Sequence, residues 1–187
     1  MNKLNRNVIR LALITGAILM VPLVATQFSN EVVWTLFDFV FAGTLIFGTG
    51  LLYLLATKMT GNTAYRMAAG LALAATFFLI WINGAVGIIG NSDINILYLG
   101  VPMVGVVGTL IAGLRPFEMS RAMFVTALAQ ALVPVVAVLM GEPDFAPGVL
   151  QVFVLNGVLV LLFVGAALLF RRAAAQNNES GVETHHA

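Results

Sequence analysis

Asp38 is the residue whose type and setting most suggest chemistry. It lies inside the stretch Glu31 to Thr57, which is otherwise almost wholly apolar. At ~1.5 Å per residue, seven residues past Glu31 is roughly 10 Å along a helix. No other Asp, Glu, Lys or Arg lies as far inside an apolar run. An ionised carboxylate facing lipid costs about 2.5–3.5 kcal/mol at the bilayer centre. Asp38 is therefore expected to face neighbouring helices and to serve as a proton or cation site. Thr35, Asp38, Ala42, Leu45 and Thr49 recur at spacings of three and four, so one helix face carries them together.

Three amides lie at comparable depth in other apolar runs: Asn83, Gln130 and Asn156. No basic residue lies at that depth, which leaves amides, hydroxyls and water as partners for Asp38. The expectation is that Asp38, Asn83, Gln130 and Asn156 converge in the outer half of a helical bundle and bind a proton, a cation or a small polar solute. The competing reading takes the amides as interhelical hydrogen bonds, worth ~0.6 kcal/mol each on average. Asp93, with Asn91 and Asn95, offers too few ligands for a strong cation site.

The elements that must position these residues follow from composition. The chain has 187 residues, 60% hydrophobic and 9% charged, against about 25% charged in soluble domains. Its apolar residues come in unbroken runs of about 20, the length of a membrane-spanning helix rather than a barrel strand. Cysteine is absent, which excludes disulfides, thiol nucleophiles and cysteine-bound metals. The only histidines, His185 and His186, sit in a polar tail, so a histidine-held membrane haem is excluded. No lysine lies in a span to form a Schiff base. Nucleophile elbow, HExxH and phosphate-loop signatures are lacking, as is the basic, aromatic-interleaved surface of a nucleic-acid binder. No enzyme, cofactor or metal is expected.

The fold class expected is all-α: a polytopic six-helix bundle at residues 1–172, with spans at about 8–28, 32–56, 64–89, 96–114, 120–140 and 149–170. The first run has the basic-then-apolar form of a signal peptide, but Leu23 at the −3 position of the cleavage context near Ala25 is poor, so it is read as a retained span. Residues 173–187 read as a disordered cytoplasmic tail. Trp34, Tyr53, Tyr65, Trp81 and Tyr98 fall near span ends and read as an aromatic belt. The glycines of spans two to four read as close packing points.

The spans sort the charges. Lys3, Arg6, Arg10, Lys58, Arg66, Arg115, Arg121, Arg171 and Arg172 account for all 9 basic residues, and all fall on one side. Glu31, Asp93, Glu142 and Asp144 fall on the other. The positive-inside rule then places both termini in the cytoplasm.

The run Trp81-Ile82-Asn83-Gly84-Ala85-Val86-Gly87-Ile88-Ile89-Gly90, with Asn91-Ser92-Asp93 after it, resembles segments of small bacterial multi-pass inner-membrane proteins to which no activity is assigned. The Asp38 span and Gly61-Asn62-Thr63-Ala64-Tyr65-Arg66 are similar too. The resemblance implies the bacterial cytoplasmic membrane and no particular activity. The expected function is non-enzymatic: permeation of a small solute, ion or proton, with Asp38 as the ionisable site. The alternative is a structural or accessory subunit. The expected partners are the lipid bilayer and another membrane protein or a second copy of the chain.

Overall fold

The structure, a computed structural model, describes residues 3–28, 33–58, 60–89, 93–141 and 148–183, with side chains as far as Asn178. Every regular element among them is helical. The helices are α1 (Lys3–Phe28), α2 (Leu36–Thr57), α3 (Thr63–Ala85), α4 (Leu97–Ala112, preceded by a short 3₁₀ turn at Asp93–Ile96), α5 (Pro116–Leu139) and α6 (Val149–Glu183). Among the described residues six helical segments are long and apolar enough to cross a membrane, the fourth being counted from Asp93. The chain divides into two compact units, one holding α1 and α2 and the other α3 to α6.

In the first unit α1 packs on α2. Gly43 lies close to Leu19, and a Cβ at Gly50 would run into the Leu11 side chain, so small residues set this crossing. In the second unit α6 lies between α3 and α5, and α4 packs on α5. The buried residues of α6 include Val152, Asn156, Leu159, Phe163, Ala166, Phe170 and Ala173, in alternating steps of four and three. Those of α5 include Met119, Met123, Thr126, Gln130, Val133 and Ala137, in the same rhythm. Such a 3.5-residue repeat keeps one seam facing a partner along its whole length. The core of this unit is the pair of seams. Both carry an amide; the rest of the α6 row is apolar, and the α5 row adds only Thr126, whose hydroxyl donates to the Ala122 carbonyl of its own helix.

Helix α1 begins at Lys3 rather than near Val8 and α5 at Pro116 rather than near Ser120; three further boundaries differ from the sequence reading in ways that bear on the site. The second helix starts at Leu36 rather than near Val32, with Thr35 as its N-cap. The third ends at Ala85 rather than Ile89, because Gly87 turns the chain at φ +69°. The sixth runs past Phe170 to Glu183, so the segment expected to be disordered from Ala173 is helical that far. Its first residues carry the seam onward: Ala173 is fully buried. The Asn62 amide also donates to the Ala173 carbonyl at 3.3 Å and to Asn177 Oδ1 at 3.1 Å. That tie fixes the start of α3 at the level of this turn of α6.

The connection between α4 and α5 is short. Gly113 and Leu114 both adopt positive φ, and Pro116 opens α5 where its missing N–H costs nothing. The helices then cross closely. A Cβ built on Gly108 would lie 2.9 Å from the Ala122 Cβ, and one on Gly100 would meet open space. Gly108→Ala is expected to destabilise the protein by about 1–3 kcal/mol through overpacking. Gly100→Ala, on an exposed turn of the same helix, should be neutral or slightly stabilising. Unfolding in detergent, followed by circular dichroism, checks the pair.

Candidate functional site

Gln130 and Asn156 meet at the centre of the α5–α6 seam. Gln130 Nε2 donates to Asn156 Oδ1 at 2.7 Å. Asn156 Nδ2 donates to the Tyr98 hydroxyl at 2.9 Å and to the Val152 carbonyl, one turn earlier on its own helix, at 2.8 Å. One side chain thus ties α6 to both α5 and α4. Gln130 has no exposed surface, and Tyr98 and Asn156 have 1% and 2%.

The direction of this chain is fixed by one atom. A carbonyl oxygen only accepts, so the Asn156 atom facing Val152 must be the amide nitrogen. Its oxygen then faces Gln130, whose facing atom must be a donor. Gln130 Oε1 is left without a partner. At the other end the Tyr98 oxygen accepts, which leaves its own proton to donate, and no acceptor for it is found among the described residues. The array has a free acceptor at one end, a free donor at the other and no charge along its length. An unpaired buried acceptor costs about 1–3 kcal/mol.

The other two expected site residues make separate bonds. Asn83, near the end of α3, donates from Nδ2 to the Asn95 carbonyl at 3.2 Å, and Asn95 Oδ1 accepts from the Ile89 amide at 2.9 Å. These bonds tether the turn between α3 and α4. Asn83 Oδ1 is buried without a partner. Asn91 and Ser92, considered with Asp93 for a cation, lie outside the described residues, and no group of three or more metal-ligating acids or histidines occurs among those described.

Asp38 is not deep in a helix. The shorter α2 puts it in the first turn, where its carboxylate accepts from the Thr35 backbone N–H and hydroxyl, both at 2.7 Å. The Thr35 hydroxyl accepts in return from the Asp38 amide. This is a reciprocal capping box, and the acid also complements the positive end of the helix dipole. The depth expected from Glu31 therefore does not hold, because Val33, Trp34 and Thr35, which that count took as helical, precede the helix. Asp38 lies in the α1–α2 unit, whereas Asn83, Gln130 and Asn156 belong to the α3–α6 unit.

Sequence reasoning missed Tyr98 and misplaced Tyr65. Both were read as belt aromatics. Tyr98 is buried in the amide array, and Tyr65 is 4% exposed with its ring 5.0 Å from that of Phe170. For Tyr98 a signal was available: it is the second residue of an apolar helix, and a phenol buried there needs a polar partner. Comparison with protein-family models, curated proteins and solved structures gave no match.

The array predicts energetic coupling. Asn156→Leu should cost about 1–3 kcal/mol, because it strands the Gln130 amide. Combined with Gln130→Leu it should cost less than the two changes separately. Equilibrium unfolding of the four proteins in a double-mutant cycle measures this, and additive effects would show that the pair does not interact.

Proposed function

We propose that the chain is a non-enzymatic, multi-pass protein of the bacterial cytoplasmic membrane that binds and passes a small, neutral, hydrogen-bonding solute. Tyr98, Gln130 and Asn156 form the polar site. The single observation that carries this reading is the fully buried, unpartnered Gln130 Oε1 at the end of a directed hydrogen-bond chain. A pair of amides serving only as glue would be closed on itself. An open acceptor at one end of the array suits a solute that can give a hydrogen bond, and the free Tyr98 proton at the other end suits one that can take it. The absence of charge along the array favours a neutral solute over a proton or cation. Asp38 is assigned to starting α2 through its bonds to Thr35.

Both termini are cytoplasmic in this proposal. Its support is the distribution of basic residues: Lys3, Arg6 and Arg10 at the start of α1, Lys58 after α2, Arg66 at the start of α3, Arg115 and Arg121 at the start of α5, and Arg171 and Arg172 in α6. An accessory role packed against another membrane protein or a second copy is the second reading. It is favoured by Gly100 and Gly157, which face open space and would admit a closely approaching helix.

Osmotic light scattering on proteoliposomes, with water, urea and glycerol as probes, tests the site. Gln130→Leu is expected to lower flux by about tenfold or more, equivalent to roughly 1.4 kcal/mol. Asp38→Asn should leave it unchanged. Equal flux in Gln130→Leu and the unaltered protein refutes the proposed route, whereas loss in Asp38→Asn alone returns the role to the carboxylate. Orientation is read separately. A C-terminal green fluorescent protein fusion should fluoresce and a C-terminal alkaline phosphatase fusion should be inactive.

A further inference from the structure

A groove of about 600 Å³ runs along the outer side of the α4–α5 pair. Its walls are apolar: Met103, Val107 and Ile111 from α4, and Ala122 and Val125 from α5, with Gly108 in its floor. Its volume is in the range of small-molecule sites. From Met103 to Ala112 it spans about 14 Å of α4 at ~1.5 Å per residue. The walls change character at one end only, where Glu118 and Arg121 close it next to the α4–α5 connection.

That end is strongly basic. Antiparallel travel from the Gln130–Asn156 contact brings the start of α5 to about the level of Phe170. Asn62 places the start of α3 at the next turn of α6. Arg66, Arg115, Arg121, Arg171 and Arg172 therefore share one end of the α3–α6 unit, and Glu118 is the one acid there among the described side chains. The Glu118–Arg121 pair is long, at 3.4 Å, and its side chains are 43% and 70% exposed. An exposed pair of this kind is worth little, so Arg121 can turn to a better anion without losing much. Guanidinium groups bind phosphate through two parallel hydrogen bonds.

We infer that this groove is a binding site for one anionic phospholipid: an acyl chain lies along Met103, Val107 and Ile111, and the phosphate sits against Arg121 and Arg115. The chain chemistry and the head chemistry are matched at the two ends of one surface. This inference does not depend on the solute route, which lies in the interior of the same helices.

Native mass spectrometry of the full chain tests it, with phosphatidylglycerol and phosphatidylcholine titrated separately into the detergent-purified protein. Each arginine is expected to contribute about fivefold, so phosphatidylglycerol should bind about 25-fold more tightly. Arg115→Gln with Arg121→Gln should abolish the preference while leaving the circular dichroism unchanged. Val107→Trp, which fills the groove without touching the charges, should reduce retention of both lipids. Equal retention of the two lipids overturns the inference. So does retention unaffected by Val107→Trp, which would place the lipid elsewhere, or displacement of phosphatidylglycerol by millimolar inorganic phosphate, which would mean an anion site without a chain. If the double arginine variant fails to fold, Arg121→Gln alone serves instead. It removes one of the two charges, so the preference should fall about fivefold, and an unchanged preference there also counts against the inference.

Discussion

The bond from Asn156 to the Val152 carbonyl sets the direction of the amide array that joins α4, α5 and α6. A carboxamide can present either of two atoms to a neighbour, and which one it presents usually depends on several partners. Here one intrahelical acceptor settles the matter, and the settlement propagates. It orients Gln130 across the seam and makes Tyr98 an acceptor. The two seams would otherwise be rows of Ala, Val, Leu, Met and Phe that could slip past each other by a turn at modest cost. A polar residue at one seam position penalises every register but one, because a slipped register buries two amides without partners. Register then fixes the rest of the unit, including the Asn62 tie at its basic end.

Helix ends do the corresponding work for the remaining polar residues. The Thr35–Asp38 box starts α2, Asn62 accepts from the Tyr65 amide to start α3, and Asn95 holds the turn after it. In a bilayer such ends matter more than in water, because free backbone N–H and C=O groups near the hydrocarbon find few solvent partners. Much of what reads in the sequence as intramembrane chemistry is therefore end chemistry. The two are told apart only by where the helix begins.

That distinction explains what could be read in the sequence and what could not. The number and rough placement of the six apolar helices among the described residues follow from run length, since runs of about 20 suit helices, which satisfy their own backbone in lipid, and are too long for barrel strands. Gln130 and Asn156 stood out because each is alone at mid-run. Asp38 looked deep because the apolar run extends back to Val32, although Thr35 and Asp38 have the spacing of a capping box. Depth counted from composition ignores a cap, and a cap is worth enough to set where a helix starts. The continuation of α6 was legible in principle, since Ala173 keeps the step of three from Phe170, but low bulk masked it. Tyr98 was hidden by the general tendency of tyrosine to lie at interfaces. Its partner is Asn156, 58 residues along the chain.

Magnitudes decide how the amide array is best understood. Lipid offers no hydrophobic drive for helices to associate, so packing rests on close fit, and this core is accordingly rich in alanine: Ala68, Ala75, Ala137, Ala166 and Ala167 are all fully buried. An interhelical hydrogen bond adds only ~0.6 kcal/mol on average. The unpartnered Gln130 oxygen costs about 1–3 kcal/mol. As glue alone, then, Gln130 loses more at one end than it gains at the other, and an apolar side chain of similar volume would hold the helices better. A donor that arrives at that oxygen reverses the balance. The same arithmetic applied to Asp38 comes out differently: its carboxylate accepts from both the Thr35 N–H and hydroxyl and its amide donates back to that hydroxyl, so the residue accounts for itself as the start of a helix.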